Sequence, residues 1–179
     1  MLKTIIHDLI DLKVLIPSTL MATLLIFIFF YITKRFFLKN KKHSLLASLF
    51  YFVFLFYITL ILNKSIFSRP QTFSQIDFNI FNTWHYSNIT KALIIENSLM
   101  LFPFGFSLVF IIKSKFKFIY ATILTFLLSL SIETIQLLTA RGIWQLEDLI
   151  CNTLGGFAGA LIAYLLILIY KTFSSKCRM

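Results

Sequence analysis

Charge is scarce in this chain of 179 residues: 13% are Asp, Glu, Lys or Arg, and only seven are acidic. A soluble globule usually carries about 25% charged residues, and a single domain of this size has no layers to cover long uncharged helices on every side. Cysteine is scarcer, with Cys151 and Cys177 alone, which excludes a disulfide scaffold and any cysteine-rich metal centre. The three histidines, His7, His43 and His85, stand far apart. With no HExxH pair, no Ser-His arrangement and no glycine-rich phosphate loop, neither a metal nor a cofactor is expected. A cleavable leader is not expected either: residues 1–13 mix Lys3, Asp8, Asp11 and Lys13 with apolar residues, and no small-residue cleavage site follows.

What the chain has in abundance is apolar sequence. Hydrophobic residues make up 59% and aromatic residues 17%. They gather in five runs, 14–33, 44–63, 92–112, 118–140 and 149–170, broken internally only by Glu96 and Glu133. A hydrocarbon core of roughly 30 Å needs about 20 helical residues, so each run is long enough to cross it. The expectation is an all-α, multi-pass integral membrane protein, a single membrane domain over 1–179 with five transmembrane helices.

The loops orient it. Lys34, Arg35, Lys39, Lys41 and Lys42 follow the first run, Lys113, Lys115 and Lys117 the third, and Lys171, Lys176 and Arg178 the fifth, with no acid among them. The alternate connections hold the other six cations and all seven acids. The positive-inside bias then places the N-terminus outside and the C-terminus inside. The cations flank helices instead of lining a groove with stacking aromatics, so their partners are membrane lipids and not nucleic acid. Cys151 and Cys177 fall on opposite sides and are expected as free thiols. The one long connection, 64–91, mixes Phe73, Ile76, Phe78, Ile80, Phe81, Trp84 and Tyr86 with polar residues, as a segment lying at the membrane interface does.

The polar residues within the apolar runs collect at one depth. Glu96 and Asn97 open the third helix from outside, Glu133 and Gln136 close the fourth, and Glu147, Asp148 and Asn152 begin the fifth. Glu133 and Gln136 are three residues apart, Asp148 and Asn152 four apart, so each pair shares a helical face. Arg141, in the short connection, is the natural countercharge. A carboxylate within the bilayer costs on the order of 2–3 kcal/mol even on the permissive insertion scale, so Glu133 is expected to face protein, water or a partner. Two further features bear on packing. Gly155, Gly156, Gly159 and Ala160 form two small-xxx-small pairs that allow close helix approach, and Pro103 with Gly105 predicts a kink in the third helix.

These same residues resemble the VanZ-like membrane proteins. The resemblance runs over about 91–159: Glu96-Asn97, then Phe102-Pro103-Phe104-Gly105-Phe106, then Ser131-Ile132-Glu133-Thr134-Ile135-Gln136, then Arg141, and finally Glu147-Asp148-Leu149-Ile150-Cys151-Asn152-Thr153-Leu154-Gly155-Gly156. It differs at Gln145, where many relatives carry an acid. The resemblance implies a small polytopic membrane protein whose founding function is low-level resistance to teicoplanin, a lipoglycopeptide antibiotic.

Two functions compete on these observations. In the first, the protein is a non-enzymatic resistance or cell-envelope factor whose outward polar site engages a lipoglycopeptide or a cell-wall lipid precursor. In the second, it is an intramembrane enzyme acting on a lipid-linked substrate. Glu133 would then be the general base and Asp148 the acid or electrostatic partner, with Glu96, Asn97, Gln136, Arg141, Glu147 and Asn152 holding the substrate. Transport by one subunit is disfavoured, because only one half of the membrane carries ionisable groups and no inverted repeat is present. Against all of these stands simple helix glue, carboxylates and amides hydrogen-bonding between neighbours.

Overall fold

The computed structural model describes residues 14–28, 45–71, 74–80 and 88–176. The expectations for His7, His43, His85, Trp84, Tyr86 and Cys177 lie outside them. The chain divides into two compact units, one within Ile6–Pro70 and the other within Gln71–Met179.

In the first unit, α1 (Val14–Ile28) and α2 (Leu45–Leu62) are apolar helices. Exposed Val14, Met21 and Leu25 on α1, and Leu49, Tyr51 and Val53 on α2, provide a lipid-compatible surface. Between the two helices the contacts are polar as well as apolar. Thr23 and Thr59 share a hydrogen bond of 2.6 Å, Asn63 Nδ2 donates to Thr19 Oγ1 at 3.0 Å and to Ser18 Oγ at 3.2 Å, and the Phe27 and Phe52 rings meet edge-on. Beyond Asn63, where the apolar run ends, α2 does not stop. It widens into a π-helical turn over Asn63–Phe67, closed by the Ser68 N–H and hydroxyl on the Asn63 carbonyl. The candidate span thus extends to Ser48–Phe67.

The second unit contains β1 (Gln75–Asp77), α3 (Asn88–Met100), α4 (Phe102–Ile111), α5 (Lys117–Leu138), β2 (Ile143–Gln145) and α6 (Leu146–Lys176). The expected kink is a full break. Leu101 leaves the helical region at φ −98°, ψ 0°, and α4 starts with Pro103 in its first turn, where a missing N–H costs no hydrogen bond. Taken together, Ile94–Ile111 remains long and apolar enough for one crossing, as are Lys117–Leu138 and Leu146–Ser174. The protein is therefore a multi-pass membrane protein, with four helices of spanning length among the described residues and α1 shorter.

α6 is the centre of this unit and packs against α3, α4 and α5. Its small residues make this possible. A Cβ on Gly155 would run into the Ser98 carbonyl of α3, one on Gly159 into the Phe102 carbonyl, and one on Gly156 into the Thr125 side chain of α5; on the facing helix, a Cβ on Gly105 would strike the Gly156 carbonyl. Backbones in van der Waals contact are the main attraction between helices in lipid, where no hydrophobic force separates them from their surroundings. Ala160, Ala163, Leu101, Phe104, Val109 and Ile132 complete the buried core.

The segment around β1 is not simply an interfacial strap. Gln75, Ile76 and Asp77 pair in parallel with Ile143, Trp144 and Gln145, the Ser74 hydroxyl donates to the Leu137 carbonyl at 2.7 Å, and the Phe78 and Trp144 rings lie 5.6 Å apart. Parallel strands must be joined by a crossover; here α3, α4 and α5 supply it. Both strands stand on one side of the membrane, so the intervening helices make an even number of crossings. That fits α3–α4 as one bent span and α5 as the return.

Candidate functional site

The ribbon end of the second unit gathers the polar residues singled out by the sequence. α5 ends in a turn of defined chemistry: the Arg141 N–H reaches the Gln136 carbonyl at 2.9 Å and the Ala140 N–H the Leu137 carbonyl at 3.2 Å. This is the Schellman pattern, with Ala140 in the left-handed position at φ 52°. Glycine normally occupies that position, and alanine there costs on the order of 1–2 kcal/mol. The turn fixes the backbone of Arg141 one residue beyond it and directs the chain into β2.

Glu133 lies one turn before the end of α5 and is 2% exposed. Its Oε2 accepts the Gln145 backbone N–H at 3.2 Å, so the carboxylate links α5 to the residue that both ends β2 and leads into α6. A charged acceptor strengthens such a bond about twofold over a neutral one. Gln136, one turn on, is equally buried, and both residues share a face with Ile132 and Ser129. On α6, Glu147 and Asp148 occupy the first turn, where negative side chains complement the helix dipole. Glu147 is buried and Asp148 only partly so, while Asn152, one turn further, is 2% exposed.

α3 approaches from the other side. The Ser98 hydroxyl donates to the Ile94 carbonyl at 2.9 Å and is joined by the Cys151 side chain of α6; Cys151 is a free thiol. Asn97, partly exposed, neighbours this contact face. Glu96 is also partly exposed as a residue, while its Oε1 is fully buried. Thus Glu133 and Gln136 on α5 and Glu147 and Asn152 on α6 are buried, Arg141 and Asp148 are partly exposed, and Glu96 on α3 carries a fully buried Oε1.

Among the buried polar residues that the sequence did not single out, Ser129 stands apart. Ser129 is fully buried, and its hydroxyl has no hydrogen-bond partner among the described residues, as is true of Asn152 Oδ1. On the same helix Thr122, Thr125, Ser131, Thr134 and Thr139 each donate to the carbonyl four residues back. Ser129 departs from that habit. The signal available in the sequence was its position: two turns after Thr122 on the Glu133 face and, across a short connection, level with Asn152.

Among the described residues no group of three or more His, Cys, Asp or Glu side chains is disposed to hold a metal ion. A family model described as VanZ/LLP1 matches residues 18–169 of the chain. No curated protein and no solved structure matches it.

Proposed function

The chain belongs to the VanZ/LLP1 family, and from that premise we propose that it is a cell-envelope factor of the bacterial cytoplasmic membrane. Its polar α5–α6 end faces outward and engages a lipoglycopeptide such as teicoplanin or a cell-wall lipid precursor, lowering susceptibility to the antibiotic. The observation that carries this reading is the burial of Glu133, whose carboxylate joins α5 to the end of β2, with Gln136 on the same helix and Glu147 and Asn152 on α6 also buried. Ionisable groups inside a membrane protein are costly and collect where a ligand or proton is handled. Outward orientation follows from the clustering of Lys and Arg on the opposite connections.

Deletion and overexpression in the host, with teicoplanin susceptibility as readout, test the antibiotic role. Glu133→Gln tests the site. The amide keeps the volume and one acceptor while removing the charge, so the expected outcome is loss of the resistance phenotype with membrane abundance near normal. Unchanged susceptibility on both deletion and overexpression would end the antibiotic reading. A Glu133→Gln protein that is destabilised, yet fully active in its remaining folded fraction, would reduce Glu133 to helix glue.

The presence of a second buried carboxylate, Glu147, favours an enzymatic alternative. In it Glu133 acts as general base on a lipid-linked envelope substrate, with Asp148 as acid or electrostatic partner and Arg141, Asn97 and Asn152 positioning the head group. Turnover of such a lipid by the purified protein, abolished in Glu133→Gln, is the result that would select it.

A further inference from the structure

The α5–α6 seam has a readable register. Glu133 meets Gln145 near one end and Thr125 meets Gly156 further along, so the helices run antiparallel and residues at equal steps from these contacts stand level. Ser129 lies one turn beyond Thr125 on α5, and Asn152 one turn before Gly156 on α6. They therefore occupy the same level, beneath Glu133. Both are buried, and Ser129 Oγ and Asn152 Oδ1 are without partners among the described residues.

Buried polar atoms are almost always hydrogen-bonded, and leaving one unmet is costly. The chemistry of these two atoms restricts what meets them. An amide oxygen accepts only, so its partner must donate; a serine hydroxyl both donates and accepts. A phosphate dianion offers acceptors without donors, and an ammonium offers donors without acceptors. An ammonium would meet only neutral oxygens at this level, with Glu133 a full turn above as its nearest countercharge on α5, so its desolvation is poorly offset here. An alcohol hydroxyl has both functions and no charge.

We propose that Ser129 Oγ and Asn152 Oδ1 form the floor of a binding site for a hydroxyl of a neutral, hydroxyl-rich head group, a sugar or polyol carried by a membrane amphiphile. This rests on the reading of the ribbon end as the ligand-engaging end and specifies the part of the ligand that reaches deepest. Glu133, one turn above, takes a second hydroxyl of the same head group on the carboxylate that also accepts the Gln145 N–H. The exposed Phe78 ring against Trp144 supplies an apolar surface at the same end of the unit for the C–H face of a sugar ring.

The test uses the full chain in lipid nanodiscs, titrated calorimetrically with n-hexyl-β-D-glucoside, with n-hexylphosphocholine as same-tail control and empty nanodiscs subtracted. Saturable binding of the glucoside and none of the phosphocholine is expected. Ser129→Ala and Asn152→Leu each weaken glucoside binding roughly tenfold, the loss of one well-placed hydrogen bond in a buried site. Neither lowers the ligand-free thermal midpoint, because each removes a polar atom that the protein itself does not satisfy. Absence of saturable glucoside binding overturns the proposal. So does unchanged binding in both variants with a lowered midpoint, the outcome of a resident water holding the two side chains. Phosphocholine binding that depends on Glu133 would overturn the head-group assignment while leaving the envelope role intact. Glucoside binding that depends on Ser129, in a host whose teicoplanin susceptibility changes neither on deletion nor on overexpression, would sustain the site and end the antibiotic role.

Discussion

The two units are equally apolar along their helices, yet they use polar side chains in opposite ways. In the α1–α2 unit the buried polar residues are neutral, Thr19, Thr23 and Ser65, and the hydroxyls of Thr19 and Thr23 donate to carbonyls of their own helix while bridging to α2 through Thr59 and Asn63. In the α3–α6 unit, helix contact is left to glycine against backbone, and the buried polar set includes two carboxylates together with an unmet amide oxygen and hydroxyl. Hydroxyls that satisfy themselves locally are cheap cross-links. Carboxylates and unmet acceptors are expensive and are kept where packing has been secured by other means. The contrast separates glue from site within one chain, which hydropathy alone cannot do.

The largest expected effect attacks the division of labour directly. Gly155→Leu drives a side chain into the Ser98 carbonyl, and overpacking of a backbone-to-backbone contact should cost roughly 3 kcal/mol or more. Folded yield and thermal midpoint in the membrane should both fall steeply. Normal values would mean that the α6 glycines are dispensable and that the unit is held by its polar residues after all. Next in size is Gln145→Pro, which deletes the N–H given to Glu133 and one residue of the ribbon; removing a hydrogen bond to a charged group should cost about 1.5–3 kcal/mol. A cost no greater than that of a neutral bridge would erase the distinction drawn for Glu133. The smallest effect sharpens the other side of the comparison. A double-mutant cycle with Thr23→Val and Thr59→Val should give a coupling of about 0.6 kcal/mol, within the range for interhelical hydrogen bonds in membrane proteins, and no change in teicoplanin susceptibility. A coupling near zero would assign α1–α2 association to apolar packing alone.

The spans were legible in the sequence because bilayer thickness and hydropathy act on the same residues. The run 118–140 is Lys117–Leu138 in the structure, and 92–112 contains the candidate span Ile94–Ile111. The fifth helix begins earlier than its apolar run, at Leu146, since Glu147 and Asp148 suit a first turn even though they interrupt an apolar pattern. For the first run, the described helix covers Val14–Ile28. Pro103 announced the break, although not its place at Leu101. The π-helical turn and the ribbon left no trace. A three-residue strand such as Gln-Ile-Asp has no periodicity to read, and its partner lies 68 positions on. At the site, Glu133, Gln136 and Asn152 stood out by being polar in apolar surroundings. Ser129 did not, since serine in an apolar helix ordinarily bonds to its own backbone, and Ser131 two residues later does so.

The parallel ribbon also sets a timetable for making the protein. Residues 75–77 leave the ribosome before α3, α4 and α5, but their partners at 143–145 follow all three. The leading strand must therefore wait, its backbone groups bonded to water or lipid head groups, until two further crossings have been inserted. A chain ending before residue 143 would leave the Ser74–Asp77 segment undocked, and the Glu133 carboxylate would lack its Gln145 donor. Closure of the ribbon is thus the last event in assembling the polar end, and the chain cannot complete that end until α5 has returned across the membrane.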